Sequence, residues 1–149
     1  MKKIIGMVMV CFMLLCSCSH EPFDLESSKQ KVEDMGYTIQ TECKTEEEIA
    51  NIEKSIISTM KFDGYDTEGL DLHIAYYVRY TIYIKDEYNS VYEAVFFIVF
   101  ETEEAAKFYY KWSVDERDES SDWKDRIDGV NVISSNNKDV RKAIGGSFK

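Results

Sequence analysis

The sequence predicts an α+β fold, with an antiparallel sheet built on a long central hairpin and helices packed mainly on one face of it. Large apolar or aromatic residues occupy every second position from Leu72 to Ile84, which is the period of a strand. A nearly continuous apolar run, Val91–Phe100, returns after a polar turn and predicts a central strand covered on both faces. Segments with helical spacing stand before and after this pair, which favours an α+β arrangement.

Three elements are predicted before the hairpin. A helix is expected over 25–35, because apolar residues recur there at helical spacing and Gly36 follows as its stop. Residues 37–43 alternate in polarity and predict a strand. Thr45–Glu48 forms a capping box that opens a second helix. The end of that helix is open, because residues 55–62 could instead leave it and run as a strand.

Turns and caps organise the rest of the chain. The loop over 63–71 is rich in acids and glycine, and we expect a solvated turn there because its spacing does not fit a calcium-binding loop. Thr102, followed by two glutamates, caps a third helix. An Asp-Gly pair at 128–129 predicts a tight turn between two short strands. Asn136 or Asn137 then caps a last helix.

The order of these elements fits two detailed plans. Over residues 37–134 it is compatible with the ferredoxin-like βαββαβ plan. The alternative is a strongly curved hairpin sheet that grips a helix, as in cystatin-like folds. Either plan gives one α+β domain.

The first 18 residues have the layout of a secretory signal peptide. Lys2 and Lys3 precede the apolar run Ile4–Leu15, and small residues then lead to Cys18. The 12 residues of that run are too few for a membrane-spanning helix, which needs about 20. An ordinary cleaved signal peptide and a lipoprotein signal are the interpretations that remain.

The four residues Leu15-Cys16-Ser17-Cys18 resemble the lipobox of bacterial lipoproteins. Ser17 is small, as the position before the modified cysteine requires, whereas Cys16 follows the bulky Leu15. The resemblance therefore implies that Cys18 is lipidated, with a diacylglyceryl group on its thiol and a further acyl chain such as palmitate on its amine. More than one chain is what stable anchoring requires. The implied location is the cell membrane, facing outside the cytoplasm.

This interpretation divides the chain into a signal peptide (1–17), a lipidated N-terminus with its tether (18–24) and a single domain (25–149). Without the two lysines of the signal, 16 basic and 28 acidic side chains remain, a formal charge of −12. Such a balance argues against a nucleic-acid partner, which requires clustered cations. Cys43 would be the one thiol left, so no intrachain disulfide is expected, and we predict that it is a buried apolar side chain.

No motif for a nucleophile, a phosphate-binding loop or a metal site is present in the sequence, so we predict no catalytic residue and no cofactor. Glu93 is the one charge in an apolar strand and must be paired, protonated or at an opening. A turn centred near residue 88 would place 79–83 opposite 93–97, so Arg79 is its expected partner. A site carboxylate with a raised pKa is the alternative.

A possible binding face lies on the side of the hairpin away from the main core. We expect Tyr77, Arg79 and Tyr83 to lie there with Phe97, and Glu93 to face Arg79. Coverage by the first or last helix, which we expect, would make this face a second core. Left bare, an aromatic patch of this size would be a binding surface.

Three functions remain open. We expect a lipid-anchored binding or accessory module that holds an envelope protein or a small ligand near the membrane. A carboxylate-based cell-envelope enzyme, or a structural or immunity-type lipoprotein, is the alternative. From Gly36-Tyr37 through 102–109 to 137–143, the chain resembles small lipoproteins of low-GC Gram-positive bacteria. That resemblance implies a compartment and no mechanism.

Overall fold

A computed structural model describes residues 23–85 and 90–149 and confirms the α+β fold with its antiparallel sheet. The predicted signal peptide and Cys18 lie outside the described residues. Within the two described ranges, no helix is long and apolar enough to cross a membrane. The elements are α1 (Leu25–Asp34), β1 (Thr38–Cys43), α2 (Glu46–Phe62), β2 (Ile74–Lys85), β3 (Ser90–Phe100), α3 (Glu103–Asp115), β4 (Lys124–Asp128), β5 (Asn131–Ser135) and α4 (Lys138–Ile144).

The sheet is antiparallel throughout, in the order β1-β2-β3-β5-β4. Neither detailed plan is confirmed. The strands that flank α2, β1 and β2, are direct antiparallel neighbours, whereas the split βαβ unit of a ferredoxin-like fold holds such strands parallel. Helices also pack on both faces of the sheet, and not as a single helix held by it.

Two helices cover each face, so the prediction that the helices pack mainly on one face is wrong. On one face, α2 and α3 pack over Tyr77, Ile98 and Phe100. On the other, α1 and α4 pack over Tyr80 and Phe97. The reason is that the central hairpin is apolar on both faces, as the composition of β3 predicted, and each face must be removed from water.

The alternation in β2 is interrupted near its start. A register shift lies between Ile74 and Tyr76, where the pairing with β3 gains one residue. Because a bulge of this kind moves the following side chains to the other face, Ile74 packs in the same cluster as Tyr77, whereas Tyr80 packs in the opposite one. The prediction of one continuous face from Leu72 to Ile84 is therefore wrong at this end of the strand.

Local capping signals set the helix limits. Thr45 and Glu48 form the predicted capping box, and α2 runs unbroken to Phe62, which removes the strand alternative for 55–62. Asn137 is the N-cap of α4, because its side chain accepts from the first backbone N–H groups of that helix. Cys43 is buried in the α2/α3 face, and burial raises the pKa of its thiol.

Candidate binding groove

A half-open groove of about 400 Å³ lies on the α2/α3 face of the sheet. One wall is α3 and the residues after it, and the floor is formed by β2 and β3. Apolar and aromatic side chains dominate its lining, with a few polar groups at one end. The lining residues are Ile56, Tyr77, Phe96, Ile98, Tyr109, Trp112, Ser113, Glu116, Arg117, Trp123 and Ser134.

Aromatic rings form two contacting groups along the groove. The Phe96 ring lies 5.2 Å from that of Trp123 and 6.1 Å from that of Tyr77, measured between centroids. On the α3 side, the Tyr109 and Trp112 rings are 5.4 Å apart in an edge-to-face arrangement. Tilted and edge contacts at these separations are favourable and hold the rings in fixed orientations. The walls of the groove are therefore ordered before anything binds.

The polar end of the groove is built around a buried ion pair. Asp125 is completely buried, and Nη2 of Arg117 lies 2.8 Å from its carboxylate. The same nitrogen is 2.9 Å from Ser134 Oγ and 3.0 Å from Ser113 Oγ. Ser113 Oγ in turn donates to Asp125 at 2.6 Å. Asp125 therefore fixes the guanidinium at the end of the groove and balances its charge.

Two tyrosine hydroxyls in the lining stay protonated at neutral pH. Burial raises the pKa of Tyr77 to about 12, although the nearby charge of Arg79 opposes part of this effect. Burial also raises the pKa of Tyr109, and the negative charge of Asp125 adds to it. Neither hydroxyl has a hydrogen-bond partner among residues 23–85 and 90–149. These groups can donate to a ligand but are not bases.

The structure divides the predicted binding face between the two sides of the sheet. Tyr77 lines the groove, and Arg79 lies beside it against the Phe96 ring. Tyr83 shares that side but lies toward the end of the hairpin, opposite Tyr92, and is 62% exposed. The placement of Phe97 on this face is wrong, because it packs in the α1/α4 core.

Glu93 also lies on the α1/α4 side, so its predicted pairing with Arg79 is wrong. Its carboxylate accepts from the Tyr37 hydroxyl at 2.7 Å and from Asn137 Nδ2 at 2.5 Å. Burial and the bond to Glu93 raise the pKa of Tyr37. Glu93 is thus paired, as an acid in an apolar strand must be, but its partners are a phenol and an amide.

Sequence reasoning missed the polar end of the groove and half of its aromatic lining. Trp112 falls in the apolar stripe of α3 and Trp123 stands directly before β4, so neither position by itself indicates a ligand site. Arg117 falls in an acidic stretch, 115–122, whose composition is typical of a solvated loop. The available signal was a lone arginine directly after a helix with an aromatic stripe. Its partner Asp125 lies on a different element, and no periodicity links the two.

A second polar cluster surrounds His73 at the start of β2. Its backbone has a φ of 50°, and Nδ1 lies 3.5 Å from Asp71 and 3.7 Å from Glu101. All three side chains are largely exposed. In the described part of the chain, no group of three or more metal-ligating side chains is placed to hold an ion. We therefore interpret this cluster as a solvated turn.

No protein-family model matches the chain, and no curated protein or solved structure matches it at a significant level. The groove is therefore identified by its geometry: an ordered aromatic lining, a fixed arginine at one end and an opening to solvent. Concave sites with mostly apolar walls and a few convergent polar groups are the usual form of a small-molecule site.

Proposed function

We propose that this chain is a lipid-anchored, extracytoplasmic binding module, with the groove between α3 and the sheet as its ligand site. Tyr77, Phe96, Trp112 and Trp123 would contact the ligand directly. The anchor would be the lipid on Cys18, and the short segment before α1 would hold the domain close to the membrane surface.

The observation that carries the binding role is the preformed aromatic groove. A stable domain of this kind removes its large aromatic rings from water, yet here several rings border a cavity of about 400 Å³ that opens to solvent. That volume is within the range of small-molecule sites, roughly 300–1,000 Å³. The polar groups stand together at one end, which would orient a ligand in one direction along the groove.

The anchor is supported by the sequence alone. The basic start, the apolar run and the Leu15–Cys18 resemblance to a lipobox favour lipidation. The acidic body would not be drawn to an anionic leaflet by its charge, so the lipid would provide the attachment.

The carboxylate-enzyme alternative gains no comparable support. It requires two acids that converge in a cleft. The buried acid next to the groove, Asp125, is held by Arg117 and Ser113, whereas Glu116 at the groove is exposed. The geometry therefore does not bring two free acids together in the groove.

A dye that fluoresces in apolar sites tests the binding role. The chain has two tryptophans, and both line the groove. An uncharged dye such as phenylnaphthylamine should therefore bind at one saturable site and accept energy transfer from tryptophan. Ile56→Phe adds a ring to the groove and should weaken binding about tenfold. Ser58→Phe, on the exposed face of the same helix, is the matched control and should change affinity by less than about twofold. Absence of saturable binding, or equal effects of the two variants, would contradict the groove assignment.

Fractionation of cells tests the anchor separately. Cys18→Ala should move the protein from the membrane to the soluble fraction, because the lipid acceptor is lost. Cys16→Ala should leave it on the membrane. Mass spectrometry of the purified protein should find a lipid-modified cysteine as residue one of the processed chain. An intact Met1 terminus or an unmodified Cys18 thiol would contradict the lipoprotein assignment and leave the groove assignment unaffected.

A further inference from the structure

Two guanidinium nitrogens beside the groove are buried without a hydrogen-bond partner. They are Nη1 of Arg117 and Nε of Arg79, and no other side-chain nitrogen or oxygen in the described ranges that is fully removed from solvent lacks a partner. Buried polar groups in folded proteins are nearly always satisfied, so each exception requires an explanation. Both exceptions here belong to arginines, and both arginines adjoin the same groove.

Arg117 presents a directed donor. Its Nη2 nitrogen contacts Asp125, Ser113 and Ser134, whereas its Nη1 nitrogen contacts no acceptor. Because Nη2 is fixed from three sides, the plane of the guanidinium and the direction of Nη1 are fixed as well. Arg117 and Ser134 both line the groove. Nη1 itself has almost no exposed surface, so an acceptor atom of a ligand at this end would satisfy it once the neighbouring side chains shift enough to admit that atom.

Arg79 provides a positive charge that no acid within the described segments balances. Its guanidinium lies 5.0 Å from the centre of the Phe96 ring and 5.5 Å from that of Tyr92. No carboxylate of the described segments lies within ion-pair distance of it, although the full chain carries a formal charge of −10. Phe96 also forms part of the groove lining. The aromatic lining therefore has a cation directly beside it.

The electrostatics of the groove favour a negative ligand over a positive one. The buried acid at its polar end is already neutralised by Arg117. Glu116, the carboxylate in the lining, is exposed, so solvent screens its charge. Arg79 is less exposed and lies against an apolar wall, where its field is screened less.

We propose that the groove takes a small planar aromatic anion, with its rings against Phe96, Trp112 and Trp123 and its anionic group bound by Nη1 of Arg117. This inference rests on the proposed function, because it names the ligand class of the same groove. The aromatic walls select a flat apolar body. The free donor of Arg117 and the unbalanced charge of Arg79 select a carboxylate or sulfonate on one edge of it.

Two dyes that differ only in one anionic group test the proposal on the full chain. Anilinonaphthalene sulfonate carries the ring system of phenylnaphthylamine with an added sulfonate. We expect the sulfonate dye to bind about tenfold more tightly than the uncharged dye. Arg79→Met keeps the apolar stem on Phe96 and removes the charge, so the preference should fall to roughly threefold or less. Arg117→Lys keeps a cation beside Asp125 but removes Nη1, and should weaken sulfonate binding roughly fivefold.

The controls distinguish a failure of this inference from a failure of the proposed function. Lys107→Met removes an exposed cation from α3 and should leave both affinities unchanged. Because the sulfonate dye also binds partly unfolded proteins, each variant is first required to unfold cooperatively in urea. Equal affinity for the two dyes, or a sulfonate preference that survives in both arginine variants, overturns this inference while the groove remains a binding site. If neither dye binds saturably, the proposed function fails and this inference fails with it.

Discussion

Arg79 and Glu93 lie on opposite faces of the sheet, because Arg79 is opposite Phe96 and Glu93 is opposite Ile82. A register one residue different would have placed the arginine and the acid on the same face, since one step along a strand moves every side chain to the other face. The actual register keeps them apart. Arg79 remains without an acid beside the groove, and Glu93 joins the packing of α4 onto β3. The register of β2 against β3 therefore leaves the positive charge of Arg79 beside the groove.

Glu93→Gln should lower stability without lowering dye binding. Glutamine keeps one oxygen acceptor but loses the negative charge that strengthens the bonds from Tyr37 and Asn137. We expect the free energy of unfolding to fall by about 1–2 kcal/mol. Urea denaturation measures this change. Glu119→Gln, at an exposed position in the loop after α3, should change it by less than about 0.5 kcal/mol.

The contribution of the hydrogen bond between Tyr37 and Glu93 can be measured with a double-mutant cycle. Tyr37→Phe removes the phenol donor, and its effect combined with Glu93→Gln should be smaller than the sum of the single effects, because the two side chains share one hydrogen bond. Unchanged stability together with lost dye binding in Glu93→Gln would instead place Glu93 in the ligand site.

Asp125→Asn should be among the most damaging single changes in the domain. It leaves the guanidinium of Arg117 held in a mostly buried position without its counter-charge. Removing one partner of a buried pair costs about 3–5 kcal/mol, and the urea midpoint should fall accordingly. The same substitution at Asp122, which is exposed and three residues away, is the control and should have little effect. Similar midpoints for the two variants would show that the ion pair contributes nothing to the fold.

Elements with local signals could be predicted from the sequence. Thr45, Thr102 and Asn137 each accept from the backbone at the start of a helix. Residues within three positions predict the first two as caps and leave the third open between Asn136 and Asn137. Such contacts depend on neighbours in the chain, so they need no knowledge of the fold. The α+β class followed from these caps and from the alternation of the long hairpin.

The groove could not be predicted, because its parts come together only in three dimensions. A turn centred near residue 88, as the sequence predicts, gives a register of β2 against β3 that is one residue away from the observed one. The Arg117–Asp125 pair joins the end of α3 to β4. Neither residue type nor spacing indicates that contact, since most surface arginines meet no buried acid.

The domain should lose stability as the pH rises above about 10. Several buried tyrosines have a pKa above the ordinary value of 10.0, chiefly because burial disfavours the phenolate. Below pH 10 these phenols are neutral in both states, and the native interactions are fully present. Above it, the unfolded chain releases protons that the folded chain retains, so each such tyrosine lowers stability by about 1.4 kcal/mol per pH unit. The tyrosines concerned are Tyr37, Tyr76, Tyr77, Tyr80 and Tyr109.

Urea denaturation at a series of pH values, read with tyrosinate absorbance, measures this loss. The chain has ten tyrosines, so the prediction concerns the part of the phenolate signal that belongs to these five, which should appear together with unfolding and not before it. Tyr80→Phe should reduce the loss of stability per pH unit, because it removes one tyrosine whose pKa is raised in the folded state. Tyrosinate absorbance that appears in the folded state near pH 10 and is lost in Tyr80→Phe would show that this buried hydroxyl is accessible to solvent.

Gly146→Ala should destabilise the domain more than Gly69→Ala, although both glycines have positive φ, 80° and 71°. Alanine at either position is strained by about 1–2 kcal/mol in this backbone region. At Gly69 nothing lies within 4 Å of the added methyl group, whereas at Gly146 it would overlap the guanidinium of Arg126. That guanidinium donates to the Gly145 carbonyl at 2.8 Å and to Asp128 at 2.6 Å. Displacing it should add about 1–2 kcal/mol to the loss at position 146, measured as the difference in unfolding free energy between the two variants. Equal losses would mean that Arg126 moves aside freely and does not hold the end of α4 to β4.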